Sequence, residues 1–517
     1  MSYKVDLTGL ERDGDVSLTR QLGDRFSEAI ESGLLEPGEK LPPTRALAAE
    51  AGINHLTAAR VYRRLAEHGY VTASVGRGTF VRSLVPAAAE ERGDDWQTYV
   101  LPDRPMTYQD EILSDAFRFP AREGMISLAT GWPSLEFHPS TDIAAIAAEV
   151  FEEQAERALS YLPPEGLPQL REIVASRAHD RGSASDPEEI IVTSGAQQAI
   201  DLAARTLLEP GDVVVVESPT FAGSLLALRS TGARVIGVPV DDDGLDVDAL
   251  EQVLSRHEIK LCALQTACQN PTGADLSAER RSRLAQLAME RNFFVLEDAV
   301  YADLRFDGER PPSLRREAPG HVLYVNSLSK VVGGGLRVGW IAARGPVRER
   351  LITLKQASDF HTPTLVQHIA ARYMATDAYD RELARSVPYY RERRDALMAA
   401  LHRHLEGEYD AVTPRGGHHV WVTLRRPVEE RTLYSEAIRH GVSFTPGGAV
   451  TVERQQKTSL RLSFSLVEPE ELEEGVKRLA RALREVRRRA RTAGGRRRGG
   501  SGSAGRPRPM ARASRRF

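Results

Sequence analysis

A lysine can capture a carbonyl as a Schiff base when a short tether holds its amine at a binding pocket. Lys330 has such a setting in Ser327-Leu328-Ser329-Lys330, followed by the flexible loop Val331 to Gly335. The chain then returns to apolar sequence through Leu336-Arg337-Val338-Gly339-Trp340, where Arg337 could pair bidentately with a phosphate dianion. Upstream, Ile191-Val192-Thr193-Ser194-Gly195-Ala196-Gln197-Gln198 reads as strand, small-residue turn and helix start. Free N–H groups and the helix dipole at such a turn suit an anion, although the same turn also serves structure alone. Leu296-Glu297-Asp298-Ala299-Val300-Tyr301 puts an acid at a strand's carboxyl end, where α/β sheets bind ligands. An aspartate there could equally cap a helix. Asn270-Pro271-Thr272-Gly273 on its own is a turn.

The elements that must hold these residues can be read from residues 116–485. There, β-branched runs such as Ile190-Ile191-Val192-Thr193, Val213-Val214-Val215-Val216, Phe293-Phe294-Val295-Leu296 and Val322-Leu323-Tyr324-Val325 alternate with helical stretches. Continuous apolar strands separated by helices predict a mainly parallel sheet covered on both faces. Residues 1–82 form a separate small unit, residues 83–115 read as a linker, and the Arg/Gly/Ser/Pro-rich residues 486–517 are expected to be disordered. The whole chain of 517 residues, 41% hydrophobic and 27% charged, is globular in composition and too long for one core. No signal peptide or long apolar run is seen, which with two cysteines, Cys262 and Cys268, predicts a cytoplasmic protein without disulfides or a metal site. The net charge of −3 conceals an asymmetry: residues 487–517 carry twelve arginines and no acid, so the remainder sums to −15.

In the small unit, Leu18 to Ser32 is helical, a second helix follows Pro42-Pro43-Thr44-Arg45 with Leu47 and Ala48 inward, and a third runs from Asn54 toward Gly69. Ala58, Val61, Tyr62 and Leu65 of the third fall at i, i+3, i+4 and i+7, a single buried stripe. His55, Leu56, Thr57, Arg60 and Arg63 occupy its other face and first turn. Tyr70 to Ala73 and Gly78 to Val81 then make two short strands around Ser74-Val75-Gly76-Arg77. Helix, turn, recognition helix and β-wing is a winged helix-turn-helix, in which the polar first turn can enter the major groove and the wing arginine the minor groove. Residues 45–82 hold six basic and two acidic side chains, so the half that should meet phosphate is the basic half. Arg60 and Arg63 are as compatible with a solvated face as with DNA.

Pro37-Gly38-Glu39-Lys40-Leu41-Pro42-Pro43-Thr44-Arg45, Ala59-Arg60-Val61-Tyr62-Arg63-Arg64-Leu65 and Gly76-Arg77-Gly78-Thr79-Phe80-Val81 resemble the GntR family of bacterial regulators. That resemblance implies DNA contacts from Arg45, from Asn54, His55 and Thr57 at the start of the recognition helix, and from Gly76 and Arg77 on the wing. The five motifs of residues 116–485, in order and spacing, resemble fold-type I aminotransferases of class I/II, which bind pyridoxal 5′-phosphate. By this resemblance Lys330 forms the Schiff base with the cofactor and Asp298 pairs with its ring nitrogen. Asn270 and Tyr301 hydrogen-bond the ring hydroxyl oxygen, Phe221 stacks on the ring, and Gly195, Ala196, Gln197, Ser327 and Arg337 cradle the phosphate. Tyr161 would reach the partner subunit's phosphate, which implies a homodimer, and Arg461 in Ser459-Leu460-Arg461-Leu462-Ser463-Phe464 matches the arginine that binds a substrate carboxylate. Relatives often carry Tyr at Phe221, Ser at Ala196 and Pro within Gly333-Gly334-Gly335.

A winged helix joined by a linker to such a domain resembles the MocR subfamily as a whole. The expected architecture is thus multidomain: an α+β winged helix-turn-helix, then an α/β fold-type I transferase domain with a smaller α+β C-terminal subdomain. The expected function is a transcriptional regulator that binds an operator in double-stranded DNA and senses an amino compound or pyridoxal phosphate. The alternative is a working aminotransferase, amino acid to 2-oxo acid, that carries a DNA-binding domain.

Overall fold

The computed structural model describes residues 17–31, 34–35, 38–67, 70–74, 78–81, 122–179, 182–184, 186–453 and 457–498, with isolated positions 5, 7, 10, 112, 114, 115 and 118. The linker expected at 83–115 and the wing tip at 75–77 therefore lie almost wholly outside the described residues.

The small unit consists of α1 (Leu18–Glu31), α2 (Thr44–Glu50), α3 (His55–Glu67) and the hairpin β1 (Val71–Ser74) and β2 (Gly78–Val81). Its core is the stripe read from the sequence: Ala58, Val61, Tyr62 and Leu65 of α3 are buried against Leu22, Phe26 and Ile30 of α1 and Leu47 and Ala48 of α2. Tyr62 meets Phe26 edge-on at 6.1 Å and donates its hydroxyl hydrogen to Pro42 O at 2.8 Å, which ties α3 to the turn before α2. Asn54 Oδ1 accepts from Leu56 N at 2.9 Å, so the first turn of α3 is capped from its own sequence. The antiparallel hairpin pairs Val71 with Val81 and is joined by Leu41 N, which donates to Thr79 O at 2.8 Å.

The large unit begins with β3 (Ile126–Ser127), α4 (Ser140–Ala158) and α5 (Pro168–His179). There follow β4 (Ile190–Thr193), α6 (Ala196–Leu207), β5 (Val213–Ser218) and α7 (Ala222–Ser230). Next come β6 (Arg234–Asp241), β7 (Gly244–Leu245), α8 (Val247–Leu254), β8 (Leu261–Leu264) and α9 (Ala278–Arg291). Then β9 (Phe294–Asp298), β10 (Val322–Ser327) and β11 (Gly339–Ala342) complete an eight-stranded sheet of order β4-β11-β10-β9-β8-β5-β6-β7. Strands β10, β9, β8, β5 and β6 are mutually parallel; β11 is antiparallel to both of its neighbours and β7 to β6. Successive residues of one strand feed opposite layers: Val214 and Val216 join the cluster with α6 and α7, while Val215 joins that with α8 and α9. A strand buried on both faces must be apolar at every position, which is why these runs do not alternate.

Helices α10 (Pro346–Asp359), α11 (Thr364–Ala375) and α12 (Ala378–Leu405) lead to the smaller subdomain. It holds β12 (Tyr409–Ala411), β13 (His419–Leu424), α13 (Glu430–Arg439), β14 (Val442–Ser443), β15 (Thr445–Pro446), β16 (Ser459–Ser463) and α14 (Pro469–Arg498). Its four-stranded antiparallel sheet has the order β12-β13-β16-β15, and β14 pairs in parallel with β3. One expectation is corrected here: the chain does not lose structure at 486, because α14 continues through Arg498. Val486 is still buried in the helix seam, and Arg487 and Arg489 find acids at Glu408 and Glu436. Arginine-rich composition is thus compatible with helix where acids lie within reach of the guanidinium groups. Residues 499–517 lie outside the described residues.

Gly339, the first residue of β11, presses on the β4–α6 turn: a Cβ there would stand 2.7 Å from Gly195 C and 2.9 Å from Ala196 N. Both neighbours are backbone and cannot swing aside. Gly339→Ala is expected to cost about 1–3 kcal/mol, as overpacking does, and urea unfolding monitored by circular dichroism measures it.

Candidate functional site

The parallel strands end at one edge of the sheet, and the expected site residues collect there. Asp298 is the last residue of β9, Ser327 the last of β10, and Lys330 closes the short 3-10 turn that follows. Because β11 runs antiparallel, it starts where its neighbours end, so Arg337 just before it returns to the same edge. Arg337 Nη2 donates to Ser194 O at 2.9 Å, which sets the guanidinium over the β4–α6 turn. Gly195 occupies φ +86 in that turn, and a Cβ on it would stand 2.4 Å from Arg337 Nη2. Both the left-handed backbone and the close approach demand glycine. Gly195 N–H turns inward onto Thr193 O at 2.8 Å, so Ala196 and Gln197 supply the opening amides of α6, which have no intrahelical acceptor. Gln197 Nε2 donates to Gly223 O at 3.0 Å, and its Oε1 shares with the Phe221 ring the space above Gly223.

Lys330 Nζ donates to Gly131 O at 3.0 Å and lies 5.5 Å from the Tyr301 ring centre. Burial, with the nearby Arg461 charge, lowers its pKa to about 8 against the opposing pull of Asp298. Asp298 is buried and raised to about 6 by that burial, although Val300 N and Gln265 Nε2 (2.8 Å) both donate to it. Arg461 is buried on β16; it donates to Asn270 Oδ1 (3.1 Å), Ala129 O (2.6 Å) and Thr445 Oγ1 (2.9 Å). Desolvation lowers its pKa to about 10, and among the described residues its Nε has no hydrogen-bond partner. Lys330, Asp298, Tyr301, Asn270 and Arg461 thus form one connected group. Tyr161 stands apart, 87% exposed, with its ring edge-on to His361 at 5.6 Å.

Several groups in this site escaped the sequence reading. Gln265, just beyond β8, gives Nε2 to Asp298 while its Oε1 accepts from Asn270 N at 2.7 Å, so one amide fixes two expected contact residues. Glu217 accepts from Gln265 N at 2.9 Å, and its Oε1 has no partner among the described residues; desolvation raises its pKa to about 8. His418 and His419 are buried beside Lys330. His419 Nε2 meets Tyr301 Oη at 3.2 Å, and His418 Nδ1 meets Gly131 O at 3.4 Å. Burial brings His418 down to about 3 and His419 well below its ordinary value, so both imidazoles are neutral. Gly416-Gly417 before the two histidines was the available signal: a Cβ at Gly416 would meet Leu304 O at 2.4 Å.

In the small unit, Arg45 and His55 are exposed, Thr57 is half-buried, and Asn54 commits its side-chain oxygen to the helix cap. Gly76 and Arg77 lie outside the described residues.

The family model for aminotransferase class I and II matches residues 123–479. The chain belongs to that family. The model for bacterial regulatory proteins of the gntR family matches residues 18–81, so a winged helix-turn-helix precedes an aminotransferase-family domain in one chain, the arrangement of the MocR subfamily. Over the family domain the chain is 37% identical to 2-aminoadipate transaminase of Thermus thermophilus across 381 residues, 73% of this chain and 94% of the relative. Across both domains it is 30% identical to the HTH-type transcriptional regulator TauR of Rhodobacter capsulatus over 509 residues, 94% of this chain and 100% of that one. The solved structure of LysN, alpha-aminoadipate aminotransferase from Thermus thermophilus, complexed with N-(5'-phosphopyridoxyl)-L-leucine, matches with a TM-score of 0.67 at 35% identity, covering 74% of this chain and 99% of that one.

The raised pKa of Glu217 has a stability consequence. The folded state holds the Glu217 proton more tightly than the unfolded chain does, so stability is lost as pH climbs from 4.5 toward about 8. Glu217→Gln should match the parent protein near pH 4.5 and exceed it in melting temperature at pH 8 and above. Thermal melts across that range, in protein freed of small ligands, measure the difference.

Proposed function

We propose that the protein is a DNA-binding transcriptional regulator whose aminotransferase-family domain holds pyridoxal 5′-phosphate and senses an amino compound, or the cofactor itself. The observation that carries this reading is the presence in one chain of a winged helix with an exposed basic face and the assembled Lys330, Asp298 and Arg461 group. The residues fit the cofactor. The β4–α6 turn, with Gly195 and Arg337, forms a small anion cradle that a Cβ would fill, and the buried Arg461 Nε, His418 Nε2 and His419 Nδ1 have no partner among the described residues. The cofactor, when bound, supplies an electron sink for the bonds of a captured amine.

Each residue then has a role. Lys330, with its pKa near 8, has its free amine populated close to neutral pH for carbonyl capture. Asp298, ionised above about 6, pairs with the ring nitrogen and keeps it protonated, while Gln265 fixes the carboxylate. Asn270 and Tyr301 hold the ring hydroxyl oxygen, Phe221 stacks on the ring, and Gly195, Ala196, Gln197, Ser327 and Arg337 receive the phosphate. Arg461 keeps donors for a substrate carboxylate beyond the three it uses internally. The exposure of Tyr161 supports a homodimer in which Tyr161 of the partner subunit completes each phosphate site. Arg45, Asn54, His55, Thr57, Gly76 and Arg77 are assigned to operator DNA, and the cytoplasm is the place of action that goes with this reading. Among the described residues no helix is long and apolar enough to cross a membrane.

A second reading, an active transaminase, draws on the 37% identity to a transaminase and on a site from which no expected residue is lost. Amino transfer to a 2-oxo acid by purified protein is its direct assay.

An effector changes DNA affinity only if it binds two arrangements of the body differently. Lys330→Ala removes the covalent tether and leaves the small unit untouched. It is expected to keep basal operator affinity and to lose the response to amine, as read by fluorescence anisotropy with labelled operator. A full response from this variant refutes covalent sensing. Arg45→Ala should weaken operator binding at fixed salt, by about 1–3 kcal/mol where a base edge is read; unchanged affinity counts against this docking face.

A further inference from the structure

Beneath the β4–α6 turn lies a cation to which neither the family resemblance nor the site described above gives a role. Lys355, on α10, is fully buried, and its three N–H donors are all engaged. Nζ reaches Asp359 Oδ1 at 2.9 Å and Oδ2 at 3.1 Å, Thr362 Oγ1 at 3.2 Å and Gln198 Oε1 at 3.3 Å. Gln198 Oε1 also accepts from Ser194 N at 2.7 Å, and Gln198 Nε2 donates to Asp359 Oδ2 at 2.7 Å. Ser194 Oγ donates to the same Asp359 oxygen at 3.3 Å. Ser194 O is taken by Arg337. Every polar atom of Ser194 is therefore engaged: two through the Lys355 cluster below, the third by the guanidinium above.

This arrangement fixes where α6 begins. With Ser194 pinned on both sides, the amides of Ala196 and Gln197 have one orientation in which to meet an anion. Burying an ion pair in a helix–helix seam is a weak way to gain stability, since an apolar side chain of similar volume would serve as well. What the pair provides here is position. We propose that Lys355 is a positioning residue for the phosphate-binding turn, acting through Gln198 and Asp359 on Ser194 and so on the amides at the start of α6. The proposal rests on the cofactor reading above and goes beyond it by assigning to α10 a part of phosphate recognition.

The test compares two ligands that differ only in the phosphate. Full-length protein, Lys355→Met and Gln198→Met are titrated with pyridoxal 5′-phosphate and with pyridoxal, and binding is followed by absorbance and by quenching of intrinsic fluorescence. Lys355→Met is expected to raise the Kd for pyridoxal 5′-phosphate about tenfold while leaving that for pyridoxal within about twofold, the size expected for losing a well-placed hydrogen bond to a charged group. Gln198→Met, which removes the link to Ser194 without stranding a charge, should show the same phosphate-selective loss and keeps the test open if Lys355→Met folds poorly. Equal weakening toward both ligands, or unchanged preference for the phosphorylated one, overturns the positioning role while leaving the cofactor reading intact. If the parent protein binds neither ligand, the cofactor reading falls and the proposal with it.

Discussion

Parallel strands deliver their carboxyl ends to one edge, and nearly everything in the large unit follows from how that edge is made. The ends of β8, β9 and β10 lie side by side in register, so Gln265 reaches Asp298 and Ser327 ends the next strand at the same edge, although the three are far apart in the chain. Backbone at the edge leaves its hydrogen-bond ladder and must find other partners. The antiparallel β11 adds a constraint of its own, because it has to begin at this edge and so carries Arg337 back to the turn that β4 has just left.

The price of the arrangement is desolvation. Asp298, Glu217, Lys330 and Arg461 are ionisable groups with little access to water, and burial is the largest cause of every one of their pKa shifts. Each shift runs toward the neutral form, which is the direction that burial imposes. The structure moderates this with amides rather than with close counter-ions: Gln265 serves Asp298, Gln269 serves Glu217, and Asn270 serves Arg461. Neutral hydrogen-bond partners leave the charges usable. A tight ion pair between Lys330 and Asp298 would have held the amine protonated.

The phosphate turn meets a related constraint in a different form. Gly195 gives up its side chain so that Arg337 can lie close, and the Lys355 cluster holds the underside of the turn rigid. The small unit has its own apolar core, with Tyr62 packed in it and tied by its hydroxyl to Pro42 O. DNA reading and small-molecule chemistry are thus built on separate hydrophobic cores.

Much of this was legible in the sequence because it is written locally. The stripe Ala58, Val61, Tyr62 and Leu65 names a helix face; Thr193-Ser194-Gly195-Ala196 names a turn; Asp298 and Lys330 sit at strand ends that their own apolar runs announce. The functional pairing of these motifs came from their order along the chain. What the sequence could not supply is which side chains stand behind them. Gln265 and Lys355 have no local signature: an amide after a strand and a lysine in a helix are commonplace, and their roles exist only once β8 lies beside β9 and α10 against α6. His418 and His419 acquire their neutral state from burial near Lys330, nearly ninety positions away in the chain. The extent of α14 was misjudged for the same reason. Arginine-rich sequence reads as unable to build a core, and it is the tertiary fold that brings Glu408 and Glu436 to Arg487 and Arg489, beside the Glu485 that the helix itself supplies.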